Sequence, residues 1–218
     1  MIKFNIKYEE KDYDKRNETI LNKIKIDELE NPSTYYHGIR FDAINRLESI
    51  FQTGYILPGN KVKSTFKSYD GKDKFIYMSS SYNDNCNMGK YISVMQYEDD
   101  LEFEVFIKGN LFFAIKDTIK TIKTKHISYD DYCNIKKEDR LKNYYSYAFD
   151  EYFVENKISL DDIIYIGIDS KYYKDNYNKT VEEVNNLIEY YKIDIPFKDV
   201  RTNTIINKQE NKKLIKNK

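Results

Sequence analysis

Tyr35-Tyr36-His37-Gly38-Ile39 reads as a short extended run, after which the period changes: Ile44, Leu47, Ile50 and Phe51 recur at helical spacing and Gly54 is placed as a C-cap. The stretch is a strand, a turn and a helix. Toward the N-terminus, Ile20, Leu21, Ile24 and Leu29 gather near one face over residues 18–30 until Pro32 ends the pattern, which predicts a helix. Residues 1–8 alternate polar and apolar like a strand and lack the continuous apolar core of a secretory signal. The expectation is a cytoplasmic protein, or one delivered to a target cell by a route without a classical signal peptide.

Downstream, residues 57–73 are polar with Pro58, Gly59 and Gly71 and read as a loop, and Phe75-Ile76-Tyr77-Met78 as a strand. A Ser, Asn, Asp and Gly rich stretch over 79–90 precedes two further strands, Tyr91-Ile92-Ser93-Val94-Met95 and Phe103-Glu104-Val105-Phe106-Ile107. Lys108-Gly109-Asn110 turns the chain, and Leu111-Phe112-Phe113-Ala114-Ile115 is expected to close a hairpin with 103–107. Residues 117–145 carry no clean period and are read as mostly helix or loop. Glu151-Tyr152-Phe153-Val154 and Ile163-Ile164-Tyr165-Ile166-Gly167-Ile168 are strands, with a turn at Ser159-Leu160-Asp161-Asp162. Thr180 and Glu183 form a capping box before Val181, Val184, Leu187, Ile188 and Tyr191, a late amphipathic helix.

Strands outnumber helices and do not alternate with them as in a doubly wound sheet, so the fold class is α+β. The 218 residues suit one domain, placed over 1–200. The chain after Pro196 is polar, and 201–218, with Arg201, Lys208, Lys212, Lys213, Lys216 and Lys218 against Glu210 alone, is read as a basic tail, solvated or disordered. Lys+Arg and Asp+Glu are both 36, so no whole-chain field favours nucleic acid or anionic membrane, and a charged partner needs a local patch. No stretch approaches the roughly twenty apolar residues of a membrane span. Cys86 and Cys133 can pair only once, and with His37 and His126 they make a poor metal set, so no metal is expected. Gly38, Gly54 and Gly59 fit neither dinucleotide nor Walker spacing.

Tyr36-His37-Gly38-Ile39 with its helix and Gly54-Tyr55-Ile56 resembles the first motif of the diphtheria-toxin-like ADP-ribosyltransferases, a Tyr-His-Gly strand. Phe75 to Ser80 and Gly89 to Val94 are similar to that family's two tyrosine motifs, and Val105 to Lys116 to the strand pair that follows. Asp150-Glu151-Tyr152-Phe153-Val154 resembles the strand of the catalytic glutamate, shared with poly(ADP-ribose) polymerases. Each motif is short, and together they span about residues 35–168 in the family's order.

The resemblance implies a fold of two packed, mainly antiparallel sheets around an NAD cleft with flanking helices. It implies NAD as substrate, Glu151 as the catalytic carboxylate, and His37, Gly38, Tyr77 and Tyr91 as NAD-binding residues. Tyr77 and Tyr91 sandwich the nicotinamide, with Tyr82 as an alternative to Tyr91, and Arg40 is close enough in sequence to reach the pyrophosphate. Tyr144, Tyr145 and Tyr147 fall where such enzymes keep the loop that meets the acceptor. Two departures matter. Phe149 stands where arginine-specific relatives carry a second glutamate, which disfavours an arginine acceptor, and Ile39 stands where a serine or threonine commonly follows His-Gly.

The expected activity is mono-ADP-ribosyl transfer from NAD to a macromolecule, protein or nucleic-acid base, in the manner of a bacterial toxin or effector, with no membrane partner. An NAD glycohydrolase and a binding domain that kept the fold without turnover are the alternatives.

Overall fold

The computed structural model describes residues 27, 30–39, 42–62, 74–80, 111–147, 151–170 and 176–207. Twelve strands lie among them: β1 Thr34–Ile39, β2 Tyr55–Ile56, β3 Ile76–Ser79, β4 Leu111–Lys116, β5 Ile122–Lys123, β6 Lys125–His126, β7 Tyr145–Ser146, β8 Glu151–Val154, β9 Ile158–Ser159, β10 Ile163–Ile168, β11 Phe197–Asp199 and β12 Thr204–Ile205. The helices are α1 Ala43–Thr53, α2 Tyr129–Asn134, α3 Lys137–Asn143 and α4 Tyr177–Tyr191. Eight strands form one sheet in the order β12-β11-β10-β4-β1-β3-β8-β5, while β2 pairs with β9 and β6 with β7. Pairing in the large sheet is antiparallel apart from β10 with β11. The described residues thus carry one large mixed sheet, in which β1 joins β4 on one edge and β3 on the other, beside two two-stranded pairs.

β4 lies at the centre of the apolar mass. Leu111 through Ile115 are all buried, which is why the stretch reads as a continuous apolar run instead of alternating. Both of its edges carry partners distant in sequence, β1 and β10, and the hairpin neighbour expected at 103–107 lies outside the described residues. One face of the sheet carries the main core: Tyr35 and Ile39, Ile76 and Met78, Phe113 and Ile115, Tyr152 and Val154, Ile166 and Ile168. Helices α1 and α4 cover it, and each fully buried Leu, Ile or Phe contributes about 1.5–3 kcal/mol.

In α1 the buried residues Ala43, Leu47 and Phe51 repeat every four positions, the stripe expected of a helix lying on a sheet. Gly54, at φ 74°, ends it by donating its N–H to the Ile50 carbonyl at 2.8 Å, as the C-cap reading requires. The capping box at α4 is not formed. Thr180 is a buried residue inside the helix, which already begins at Tyr177 with Asn176 before it. Glu183 instead faces Lys179 in an exposed i, i+4 pair. Tertiary contact moves the helix start upstream, for the Tyr177 hydroxyl donates to the Asp199 carboxylate at 2.8 Å.

Of the helix expected over 18–30, Asp27 and Glu30 are described and both are helical, the Asn31 N–H donating to the Asp27 carbonyl. The polar segment after Pro196 contributes β11 and β12, with Phe197 fully buried and Arg201 bonded to the buried Asp169 at 3.0 Å. Residues 208–218 lie outside the described residues. No described helix is long and apolar enough to cross a membrane.

Candidate active site

Strand alternation decides which side chains share the face away from α1 and α4. Since Ile76, Met78, Tyr152 and Val154 belong to the main core, Tyr77, Ser79, Glu151 and Phe153 point to the opposite face. Tyr36 points there too, in a second buried cluster with Phe112 and Ala114. Register then aligns them. Tyr36 is the partner of Ser79, and Ser79 of Glu151, so the three form one row across β1, β3 and β8, with about 10 Å between the outer two. On its other side Tyr36 pairs with Ala114, and Ala114 with Tyr165, which extends the row to five strands.

His37 follows Tyr36 at the point where β1 and β3 part. Among the described residues the two strands pair only at Tyr36 and Ser79, whereas β1 pairs with β4 at six positions. The imidazole spans the parting: Nδ1 lies 2.6 Å from the Tyr77 carbonyl oxygen. A carbonyl only accepts, so Nδ1 carries the proton of this bond. His37, Gly38 and Tyr77 are all partly exposed.

Glu151 opens β8, partly exposed, and is held at both ends. The Ser146 hydroxyl donates to its Oε2 at 2.6 Å. Its carbonyl accepts from the Thr124 N–H at 3.1 Å and from the Thr124 hydroxyl at 2.8 Å. Ser146 and Thr124 are buried. Burial raises the Tyr36 phenol above its ordinary value, an effect that hydrogen bonds with Tyr165 and Thr34 only partly offset, so this phenol stays uncharged through neutral pH.

The aromatic residues divide. Tyr77 meets Phe153 edge to face at 5.0 Å, Phe75 stacks on Phe153 at 4.9 Å, and Tyr144 sets its edge against both phenylalanines. Tyr147 packs against Tyr129 and Tyr132 of α2. Tyr145 is the β7 partner of Lys125. Hence Tyr144 and Tyr147 are engaged in packing, and the three tyrosines do not converge on one point. Arg40, Tyr82, Tyr91 and Phe149 lie outside the described residues. Among the described residues, no group of three His, Cys, Asp or Glu gathers as a metal site.

Two residues at the carboxylate escape a reading of the sequence. Ser146 sits inside the flagged Tyr144 to Tyr147 run, five positions before the glutamate, and Thr124 in a stretch without a clean period; only the pairing of β5 with β8 and of β6 with β7 brings them to Glu151. The arrangement sets a carboxylate, an imidazole and a tyrosine ring on three neighbouring strands. The carboxylate and the ring lie on the face away from α1 and α4; by alternation His37 falls with Tyr35 and Ile39 on the other, tied to β3 through the Tyr77 carbonyl where the two strands part.

No protein-family model matches the sequence, and no curated protein matches it. Among solved structures, the chain is similar to Thermus sp. 2.9 DarT in complex with ADP-ribosylated single-stranded DNA, at 11% identity and a TM-score of 0.51, over 78% of this chain and 95% of that one. It is also similar to the same protein in complex with NAD+, at 12% identity and a TM-score of 0.46 over 74% and 90%. With carba-NAD+ the values are 12% and 0.45 over 74% and 91%. At these identities the likeness is one of fold.

Proposed function

We propose that the chain is a mono-ADP-ribosyltransferase that splits NAD at the nicotinamide bond and passes ADP-ribose to a macromolecular acceptor, a nucleic-acid base before a protein side chain. The observation that supports the reading is that His37, Tyr77 and Glu151 stand on the neighbouring strands β1, β3 and β8, with the imidazole tied to the Tyr77 carbonyl and the carboxylate to Ser146. The preference for a nucleic acid is supported by the ADP-ribosylated single-stranded DNA held by Thermus sp. 2.9 DarT, whose fold the chain shares.

In this reading the C1''–N bond breaks with its electron pair leaving on nicotinamide, which thereby loses its positive charge. The ribose becomes an oxocarbenium-like centre, as in glycoside hydrolysis. Glu151 accepts a hydrogen bond from the ribose 2''-hydroxyl and faces the growing cation, a preorganised contribution of about 2–4 kcal/mol. The acceptor's lone pair forms the new bond to C1'', and its proton passes to Glu151 or to water. Nε2 of His37 accepts from an NAD ribose hydroxyl, the Gly38 backbone meets the carboxamide, and the Tyr77 ring packs on the nicotinamide by stacking and cation–π attraction. Tyr91 and Arg40 keep the nicotinamide and pyrophosphate roles proposed for them.

Purified protein incubated with NAD is expected to release nicotinamide, and Glu151→Gln to lower that release by about 100-fold or more. Labelled ADP-ribose is expected on a single-stranded oligonucleotide rather than on lysate protein. Release that survives Glu151→Gln sinks the mechanism, and label on protein alone sinks the choice of acceptor.

A further inference from the structure

The fold fixes a carboxylate oxygen of Glu151. Oε2 accepts from Ser146 at 2.6 Å, within the range of hydroxyl-to-carboxylate bonds. Ser146 is fully buried at 0% exposure, so water does not compete for its hydroxyl. Ser146 in turn is gripped by the backbone: its carbonyl accepts from the Ile127 N–H at 3.0 Å, and β7 pairs with β6 through Ser146 and His126. The other end of the same short segment holds the glutamate, since Thr124 donates to the Glu151 carbonyl from both its N–H and its hydroxyl. Residues 124–127 thus fasten the glutamate's main chain and the serine that fastens its side chain. A carboxylate on the first residue of a strand has several open rotamers; this clip selects one.

We infer that Ser146 is a positioning residue for the proposed transfer: by holding Oε2 it fixes the plane of the carboxylate that faces the ribose as positive charge develops. The inference rests on the transferase reading, and it adds the residue that orients the carboxylate. A group that orients the carboxylate without touching NAD acts on the transition state more than on ground-state binding, so its loss falls on kcat and spares KM.

The test is steady-state nicotinamide release by wild type, Ser146→Ala, Ser146→Cys, Glu151→Gln and the Ser146→Ala/Glu151→Gln double variant, each checked by thermal melting. Ser146→Ala is expected to lower kcat by about 10- to 100-fold with KM for NAD within about 2-fold. Ser146→Cys, a weaker donor of similar size, falls between alanine and wild type. The double variant is no slower than Glu151→Gln, because the serine acts only through the glutamate. Full kcat in Ser146→Ala while Glu151→Gln is inactive overturns the serine's role and leaves the transferase reading standing. So does a loss that adds in full to that of Glu151→Gln. No release by wild type overturns both. Should Ser146→Ala not fold, the cysteine variant decides: reduced kcat at unchanged KM supports the role, and unchanged kcat overturns it.

Discussion

His37 donates its Nδ1 proton to the main-chain carbonyl of Tyr77 across 2.6 Å, at the residue after the single pair that joins β1 to β3. The bond therefore does structural work and sets the tautomer at once. Replacing His37 with Ala is expected to raise KM for NAD about 10-fold, the equivalent of one hydrogen bond near 1.4 kcal/mol. Folding stability should fall by only about 1 kcal/mol. Kinetics of nicotinamide release and a denaturant melt on the same preparation separate the two effects.

Tyr177 and Asp199 make the fold pH-dependent at both ends of the scale. Burial raises the Tyr177 phenol, and its bond to the Asp199 carboxylate and that carboxylate's charge raise it further above the ordinary 10.0. Its contribution to stability is complete below pH 10.0 and is lost as pH rises through the higher folded value. For Asp199, burial acts upward, but bonds from Tyr177, the Arg201 N–H and Ser170 outweigh it and hold the carboxyl below the ordinary 3.8. That contribution is present above pH 3.8 and is lost as pH falls through the lower folded value. Melting temperature should drop on both flanks, and Tyr177→Phe should flatten the alkaline flank while lowering the neutral plateau. An alkaline slope unchanged in the variant contradicts the assignment.

Gly167 is set by the ring above it. A Cβ there meets Phe112 ring carbons at 2.0 to 2.5 Å, and Phe112 is buried in the cluster with Tyr36 and Ala114. Gly167→Ala should cost about 1–3 kcal/mol by overpacking. Pairing it with Phe112→Leu should recover part of that loss in a denaturant melt; equal stability of single variant and wild type rules the contact out.

Arg201 bonds the Asp169 carboxylate, which is 4% exposed, through two guanidinium nitrogens. Arg201→Ala leaves that buried charge without its cation and should destabilise by about 2 kcal/mol. Asp169→Asn in the same background should recover part of it, as read by urea titration.

Residues whose environment is local were legible. The strand and helix at 34–53 and the Gly54 cap follow from period and from one residue's left-handed freedom, and Leu111 to Ile115 announce a central strand by lacking polar positions. Residues whose importance is made by distant partners were not. Thr180 satisfies a capping pattern that the Tyr177 contact with Asp199 overrides, and Phe197 sits in a polar segment yet is buried because β10 lies alongside it. The same holds at the site. His37, Tyr77 and Glu151 were marked by motif order, but Ser146 and Thr124 are ordinary hydroxyl residues until strand pairing sets them at the carboxylate.

The narrow join between β1 and β3 gives the sheet a seam. Among the described residues, one paired position joins β1 to β3 within the sheet, backed by the His37 bond and by the core that both strands share. In the proposed function, NAD held between β1 and β8 would lie across that seam. Amide exchange on either side of Tyr36 and Ser79 is therefore a gauge of occupancy, slowing when the two strands are held together.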